Sequence, residues 1–285
     1  MLHDQADELR QLVRQNFKPA AAVGPAPRLI VVSGGKGGVG ATTVAINLAV
    51  ALTRLGNRTV WVDGDLNRGG AVDGWRGSQR GSLLDVLSGR RTIHEVLERG
   101  PAGVQVLPGA WAPNDLTEFS ATSQFRFITD LKHLGLHADT VVVDLGSGRN
   151  HFVRRFWQVA DLVLLVAAAD AAAVMESYAA IKVLLAGEVG VPIHTLVNFA
   201  DLVEAADVHE RISSACRRFL GLRIASLGSL PESDEVAHAA ASGQLHLWPA
   251  TGGALAQRME FLAEELSHRL RARSTEAGGG KRSAA

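Results

Sequence analysis

The chain has 285 residues, 47% of them hydrophobic, with 29 basic and 29 acidic side chains and no formal net charge. That length allows one large domain or two small ones at roughly 100–200 residues each, and the apolar content is enough for a packed core rather than a disordered chain. Zero net charge argues against a basic nucleic-acid surface, and the single cysteine, Cys216, excludes an internal disulfide or a cysteine-ligated cluster built from one chain. No stretch reaches the ~18 apolar residues that a membrane span needs, and the polar start MLHDQADELRQ is unlike a secretory signal. A soluble, cytosolic protein is expected.

Residues 1–16 carry Leu2, Leu9, Leu12 and Val13 among polar residues, the pattern of one short amphipathic helix. Residues 17–27 follow as a linker, since Pro19, Gly24, Pro25 and Pro27 interrupt any regular element. From residue 28 apolar runs alternate with helical patterns. Strands are expected at 29–33, 59–62, 104–107, 140–143, 162–166 and 193–197, and helices at 41–55, 82–98, 122–134, 150–159, 171–186 and 203–219. Several of the runs lack polar alternation, as strands buried on both faces do. The alternation predicts an α/β fold: a doubly wound, mostly parallel sheet with helices on both faces. A last helix at about 252–272 sets Leu255, Met259, Leu262, Leu266 and Leu270 on one stripe, and 273–285 is expected to be a disordered tail.

The first strand runs into Gly34-Gly35-Lys36-Gly37-Gly38-Val39-Gly40-Ala41-Thr42-Thr43 and then a helix. Five glycines between 34 and 40 let the backbone curl and turn successive N–H groups inward, while the helix start adds its positive dipole end. Strand, glycine loop and helix in this order form a phosphate cradle. Against G-x-x-x-x-G-K-[ST], Gly35, Gly40 and Thr42 match, but Ala41 stands where the lysine belongs. Lys36 is the only cation in the loop. Thr42 or Thr43 can offer a hydroxyl to Mg²⁺. Asp63 and Asp144 each close an apolar strand; as isolated residues they are equally good turn or cap formers.

These residues resemble the MinD/ParA ATPases over roughly 28–270. GGKGGVGATT is similar to their deviant phosphate loop, with Lys36 as the signature lysine. Asp63-Gly64-Asp65 resembles switch I, and Val141 to Gly148 resembles the Walker B strand and switch II. The resemblance implies ATP and Mg²⁺ held by residues 35–43, with Thr42 and Asp144 at the metal, Asp65 orienting the attacking water and Asp63 supporting the switch. It also implies a nucleotide-dependent homodimer in which Lys36 reaches the partner's phosphates. Val197-Asn198 and Leu230-Pro231-Glu232 fall where the family holds adenine, although Asn198 is equally suited to a turn. With Ala41 in the loop, weakened binding and slow or absent hydrolysis are expected, because one charge-assisted contact is gone.

Asp4-Gln5-Ala6-Asp7-Glu8-Leu9-Arg10 resembles the DQAxxLR element of the FlhG (YlxH) family. In that family the element stimulates the partner GTPase FlhF. This implies a partner contact through Asp4, Gln5, Leu9 and Arg10 and a part in flagellar number or placement. After Asp65, residues 66–76 depart from the family pattern. The same fold also serves non-hydrolysing scaffolds that position pili or secretion machines, a reading that Ala41 leaves open. Family relatives bind membrane reversibly through a final amphipathic helix, and the Leu255–Leu270 stripe suits that role or a place in the core. Arg154-Arg155 and Arg217-Arg218 are isolated pairs, so no nucleic-acid contact is expected.

Overall fold

The structure, a computed structural model, describes residues 24–66, 81–109, 119–185, 190–241 and 253–279. The helix expected at 1–16 with Asp4, Gln5, Leu9 and Arg10, most of the expected linker, and residues 67–76 of the divergent stretch lie outside these residues. In chain order the elements are β1 (Arg28–Gly34), α1 (Ala41–Arg54), β2 (Thr59–Asp63), α2 (Leu83–Leu87), α3 (Ile93–Val96), β3 (Glu98–Arg99), β4 (Gln105–Leu107), α4 (Ala121–Lys132), β5 (Thr140–Asp144), α5 (His151–Val159), β6 (Leu162–Ala168), α6 (Ala171–Leu184), β7 (Ile193–Asn198), α7 (Leu202–Leu220), β8 (Ala225–Leu230), α8 (Asp234–Ala241) and α9 (Ala254–Gly279).

The eight strands form one sheet in the order β3-β4-β2-β5-β1-β6-β7-β8. Every pairing is parallel except β3 with β4 at one edge. The uninterrupted apolar runs follow from burial on both faces. Along β1, Leu29 and Val31 enter one core with Phe127, Phe156, Trp157 and Ile212, while Ile30 and Val32 enter the other with α1 and α9. The expected doubly wound α/β architecture is therefore present.

All six expected strands form. β8 was not expected: its sequence, Ala-Ser-Leu-Gly-Ser-Leu, has small residues and a glycine in place of a β-branched run. Gly228 within it adopts φ 87°, and Arg258 of α9 donates to the Ser229 carbonyl from 3.1 Å. The helix expected over 82–98 is instead two short helices and a strand. Gly89 at φ 76° closes α2. A capping box between Thr92 and Glu95 then starts α3, with the Thr92 amide donating to the Glu95 carboxylate at 2.7 Å. The last helix continues to Gly279, beyond the expected end at 272. Glu276 and Ala277 are sound helix formers, and the helix runs on through the glycines at 278 and 279.

The stripe on α9 has taken the core alternative. Met259, Leu262, Ala263, Leu266 and Leu270 are buried in one cluster with α1, and Leu255 packs at its margin. Truncating one of them leaves a cavity between two rigid surfaces. Leu266→Ala should lower the unfolding free energy by about 2–5 kcal/mol in a urea titration. A change under about 0.5 kcal/mol would place the stripe outside the core.

Candidate functional site

The loop between β1 and α1 is held from three sides by main chain. The Gly34 amide donates to the Gly146 carbonyl at 2.7 Å, and the Gly35 amide to the Val166 carbonyl at 3.1 Å. A Cβ on Gly35 would lie 2.2 Å from Ser177 Oγ and 2.9 Å from the Ser177 backbone, so the loop rests directly on α6. A Cβ on Gly40 would lie 2.4 Å from Asn198 Nδ2, whose amide donates to the Val39 carbonyl at 2.9 Å. Gly38 and Gly40 take φ 83° and 82°, the left-handed region open to glycine. The loop curvature thus depends on residues without side chains.

Gly40 is the N-cap of α1. It offers no side-chain acceptor, and the first turn holds no acidic residue. Other helices in the fold are closed by side chains: Ser120 on α4, Asn150 on α5, Asp170 on α6 and Asp201 on α7. The amides at the start of α1 face a cavity of about 360 Å³. Orphan N–H groups and a helix dipole directed at one space favour an anion there.

The cavity wall contains Lys36 through Thr43, Asp65, Gly146, Ser147, Asn198, Phe199, Glu232 and Val236. Of the expected site residues, Lys36, Gly37, Gly38, Val39, Gly40, Ala41, Thr42, Thr43, Asp65 and Asn198 come together on it. Gly35 lies behind the wall against α6. Asp63 and Asp144 sit just beneath, 1% and 0% exposed, as register partners at the ends of β2 and β5. The Gly146 amide donates to Asp144 Oδ1 at 3.0 Å. Pro231 is exposed and outside the wall, while its neighbour Glu232 is part of it. Asp65 packs over Gly146, where a Cβ would meet its carboxylate at 2.0 Å. Ala41 is buried, its methyl part of an apolar cluster with Val39 and Val44.

Lys36 reaches sideways. Its ammonium lies 2.7 Å from Asp170 Oδ2, while Asp170 Oδ1 accepts from the Ala173 amide at 2.8 Å. The Lys36 hydrogen bond, and after it the Ala173 amide, hold the Asp170 carboxyl below its usual range. Arg149, in the loop after β5, donates to the Gly35 carbonyl at 3.3 Å and pairs with the Glu176 carboxylate on α6.

Sequence reasoning missed Phe199, Val236, Asp170 and Arg149. Asp170 carried a signal as the N-cap of the helix expected from 171, but nothing marked it as the partner of Lys36. Phe199 takes φ 59°, which no residue pattern announces for an aromatic side chain.

A glycine loop of this build, opening onto the N-terminus of a helix at the carboxyl edge of a parallel sheet, is the defining arrangement of the phosphate-loop nucleotide-binding proteins. The family model of the CobQ/CobB/MinD/ParA nucleotide binding domain matches residues 30–247, and the chain belongs to that family. The antiactivator FleN of Pseudomonas aeruginosa is 32% identical over 211 residues, 73% of this chain and 75% of FleN. The flagellum site-determining protein YlxH of Helicobacter pylori is 26% identical over 156 residues, 55% of this chain and 53% of YlxH. The fold is similar to the MinD cell division protein of Aquifex aeolicus, with TM-score 0.68 at 21% identity over 85% of this chain and 97% of that one. It is also similar to Pyrococcus horikoshii MinD complexed with Mg-ADP, with TM-score 0.67 at 22% identity over 84% and 96%.

The close approach of Asn198 to Gly40 separates two costs of adding a methyl group. Gly56, at φ 87° with open space around it, supplies the reference for backbone strain alone. Gly56→Ala should cost about 1 kcal/mol in urea denaturation. Gly40→Ala, which must also displace the Asn198 amide, should cost clearly more. Equal losses would show that the Asn198 contact does not constrain the loop.

Proposed function

We propose that the chain is an ATP- and Mg²⁺-binding regulator of the number or placement of a cell-surface machine, the flagellum in the first instance. The observation that carries the nucleotide part is the uncapped start of α1 facing the cavity. The flagellar part rests on the 32% identity to FleN and on the DQAxxLR-like start.

The residues present fit the ligand. The amides of residues 37–43, which line the cavity, are the proposed ligands of the phosphates. Thr42 and the deeper Asp144 are the candidates to hold Mg²⁺, with Asp63 beside Asp144 in register. Bound magnesium would supply positive charge against the phosphates. On the wall itself Lys36 is the only cation among the described residues, and Asp170 already pairs with it, while Asp65 and Glu232 are acidic. With no lysine at 41, phosphate charge must be met by amides and the metal. Asp65 is the residue that would orient water for cleavage. Slow or absent turnover follows from Ala41, since electrostatic stabilisation of the transferring group is the main term in such chemistry. In a nucleotide-dependent homodimer, Lys36 would leave Asp170 for the partner's phosphates. Residues 1–16, with Asp4, Gln5, Leu9 and Arg10, would engage a FlhF-like GTPase.

Restoring the missing charge tests the nucleotide part. Ala41→Lys should raise Mg·ATP affinity in calorimetry by roughly 10- to 100-fold, the effect of one charge-assisted hydrogen bond. It should also raise turnover, and EDTA should abolish binding to the natural chain. No gain from the substitution would reject the account of Ala41.

The partner part is read by capture. An FlhF-like GTPase should be retained by the intact chain and lost from a chain lacking residues 1–16. Retention by both, together with unchanged flagellar number and position in a deletion strain, would favour a scaffold for a pilus or secretion machine.

A further inference from the structure

The peptide between Gly35 and Lys36 is where the phosphate loop leaves the sheet and enters the cavity wall. Gly35 lies against α6, and Lys36 is the first residue of the wall in chain order. No peptide bond among the described residues is cis. In a trans peptide the C=O and the following N–H point in opposite directions. Whichever way the Gly35 carbonyl faces, the Lys36 amide therefore faces the other. The Gly34 and Gly35 amides are taken by the Gly146 and Val166 carbonyls, whereas the Lys36 amide has no acceptor among the described residues.

Arg149 holds the Gly35 carbonyl. Its Nη2 lies 3.3 Å from the Gly35 oxygen and 3.3 Å from the Glu176 main-chain oxygen, and it also pairs with the Glu176 carboxylate. Arg149 belongs to the loop after β5 and Glu176 to α6, so three separate segments meet at one guanidinium. A capping role does not account for this, because α6 is capped by Asp170 and Glu176 lies inside the helix. A surface ion pair does not account for it either, because such a pair needs no bond to a glycine carbonyl. What the contact achieves is a single orientation for a peptide that glycine leaves free to turn. Turned the other way, the peptide would present a carbonyl oxygen to the cavity and repel an anion.

We propose that Arg149 is a positioning residue of the anion cradle. It fixes the Gly35 carbonyl to the rear, so that the Lys36 N–H faces the phosphates, and its charge reinforces that dipole. This rests on the nucleotide reading of the cavity and deepens it with a residue outside the wall. Glu176 keeps the guanidinium in place while offsetting its charge. The two side chains are 33% and 45% exposed, so the charge effect is open to screening by salt.

The test is calorimetry on the full chain with Mg·ATP and Mg·tripolyphosphate, which share the phosphates. Arg149→Ala should bind both roughly 10-fold more weakly, the effect of one charge-assisted hydrogen bond. Glu176→Gln keeps an acceptor for the guanidinium and removes the opposing charge. It should bind both ligands roughly 3- to 10-fold more tightly at low salt, and the gain should shrink at about 0.5 M salt. A mere brace between the loop and α6 would be loosened or left unchanged by either substitution, so the opposite signs are the signature of the proposed role. Unchanged or weaker binding in Glu176→Gln would overturn it, as would natural affinity in Arg149→Ala. A loss confined to Mg·ATP would overturn it too, by assigning Arg149 to the nucleoside. In each of these cases the natural chain still binds and the nucleotide reading stands. If the natural chain binds neither ligand, that reading fails and the role of Arg149 with it.

Discussion

Two close approaches of backbone shape residues 34–43. At Gly35 the loop lies against α6, and at Gly40 it lies against the side chain of Asn198, each within a distance that excludes a Cβ. The helix that follows is buried along almost its whole length, from Val44 through Leu52, between the sheet and α9. Its N-terminus cannot drift without repacking that layer. The amides at the mouth of the cavity are therefore fixed before any ligand arrives, which is the condition under which main-chain dipoles are most effective.

The sheet supplies the rest by register. β1 runs between β5 and β6, so the loop at its carboxyl end has a neighbour on each side: Gly146 accepts from Gly34 and Val166 from Gly35. On the far side of β5, Asp63 and Asp144 end their strands level with each other. Chain order reverses about β1, with β2 and β5 to one side and β6 to the other. The crevice at the carboxyl ends of such a reversal is where open α/β sheets accept ligands. The glycine loop, the acidic strand ends and the Asn198–Phe199 turn meet there because parallel strands deliver their carboxyl ends to one edge.

The parts of this arrangement that were legible in the sequence are those set by local chemistry. Double-sided burial shows as unbroken apolar runs, so β1, β2, β5 and β6 could be placed, and β7 showed through Ile193, Leu196 and Val197 around two polar residues. The phosphate loop shows because few other needs call for five glycines around one lysine. β8 was hidden because its side chains are mostly small and Gly228 interrupts it, so no apolar run marks it. The division of 82–98 was written in Gly89 and in Thr92 with Glu95, but apolar periodicity across the segment masked it. The Lys36–Asp170 pair and the strained turn at Phe199 join residues separated by a helix or more. Tertiary structure creates such contacts, and no spacing rule encodes them. The use of the α9 stripe was undecidable from periodicity, since a stripe that covers α1 has the same spacing as one that meets a bilayer.

The charges around the cavity give the loss of the loop lysine its meaning. Asp63 and Asp144 lie side by side in the interior, each at the end of its strand. Asp65 and Glu232 add two more carboxylates to the wall, while Lys36 is turned toward Asp170. A polyphosphate entering alone would meet acidic neighbours with only amide dipoles in its favour. A polyphosphate entering with a divalent cation would bring positive charge to a wall whose charged side chains are Lys36, Asp65 and Glu232. In a family member with lysine at 41, part of that charge belongs to the protein and is always present. Under the proposed function it would arrive with the ligand, so occupancy would follow the metal as closely as the nucleotide. A site of the proposed kind would keep the geometry of a switch while depending on two solutes, and that dependence is the consequence the proposal draws from a methyl group at residue 41.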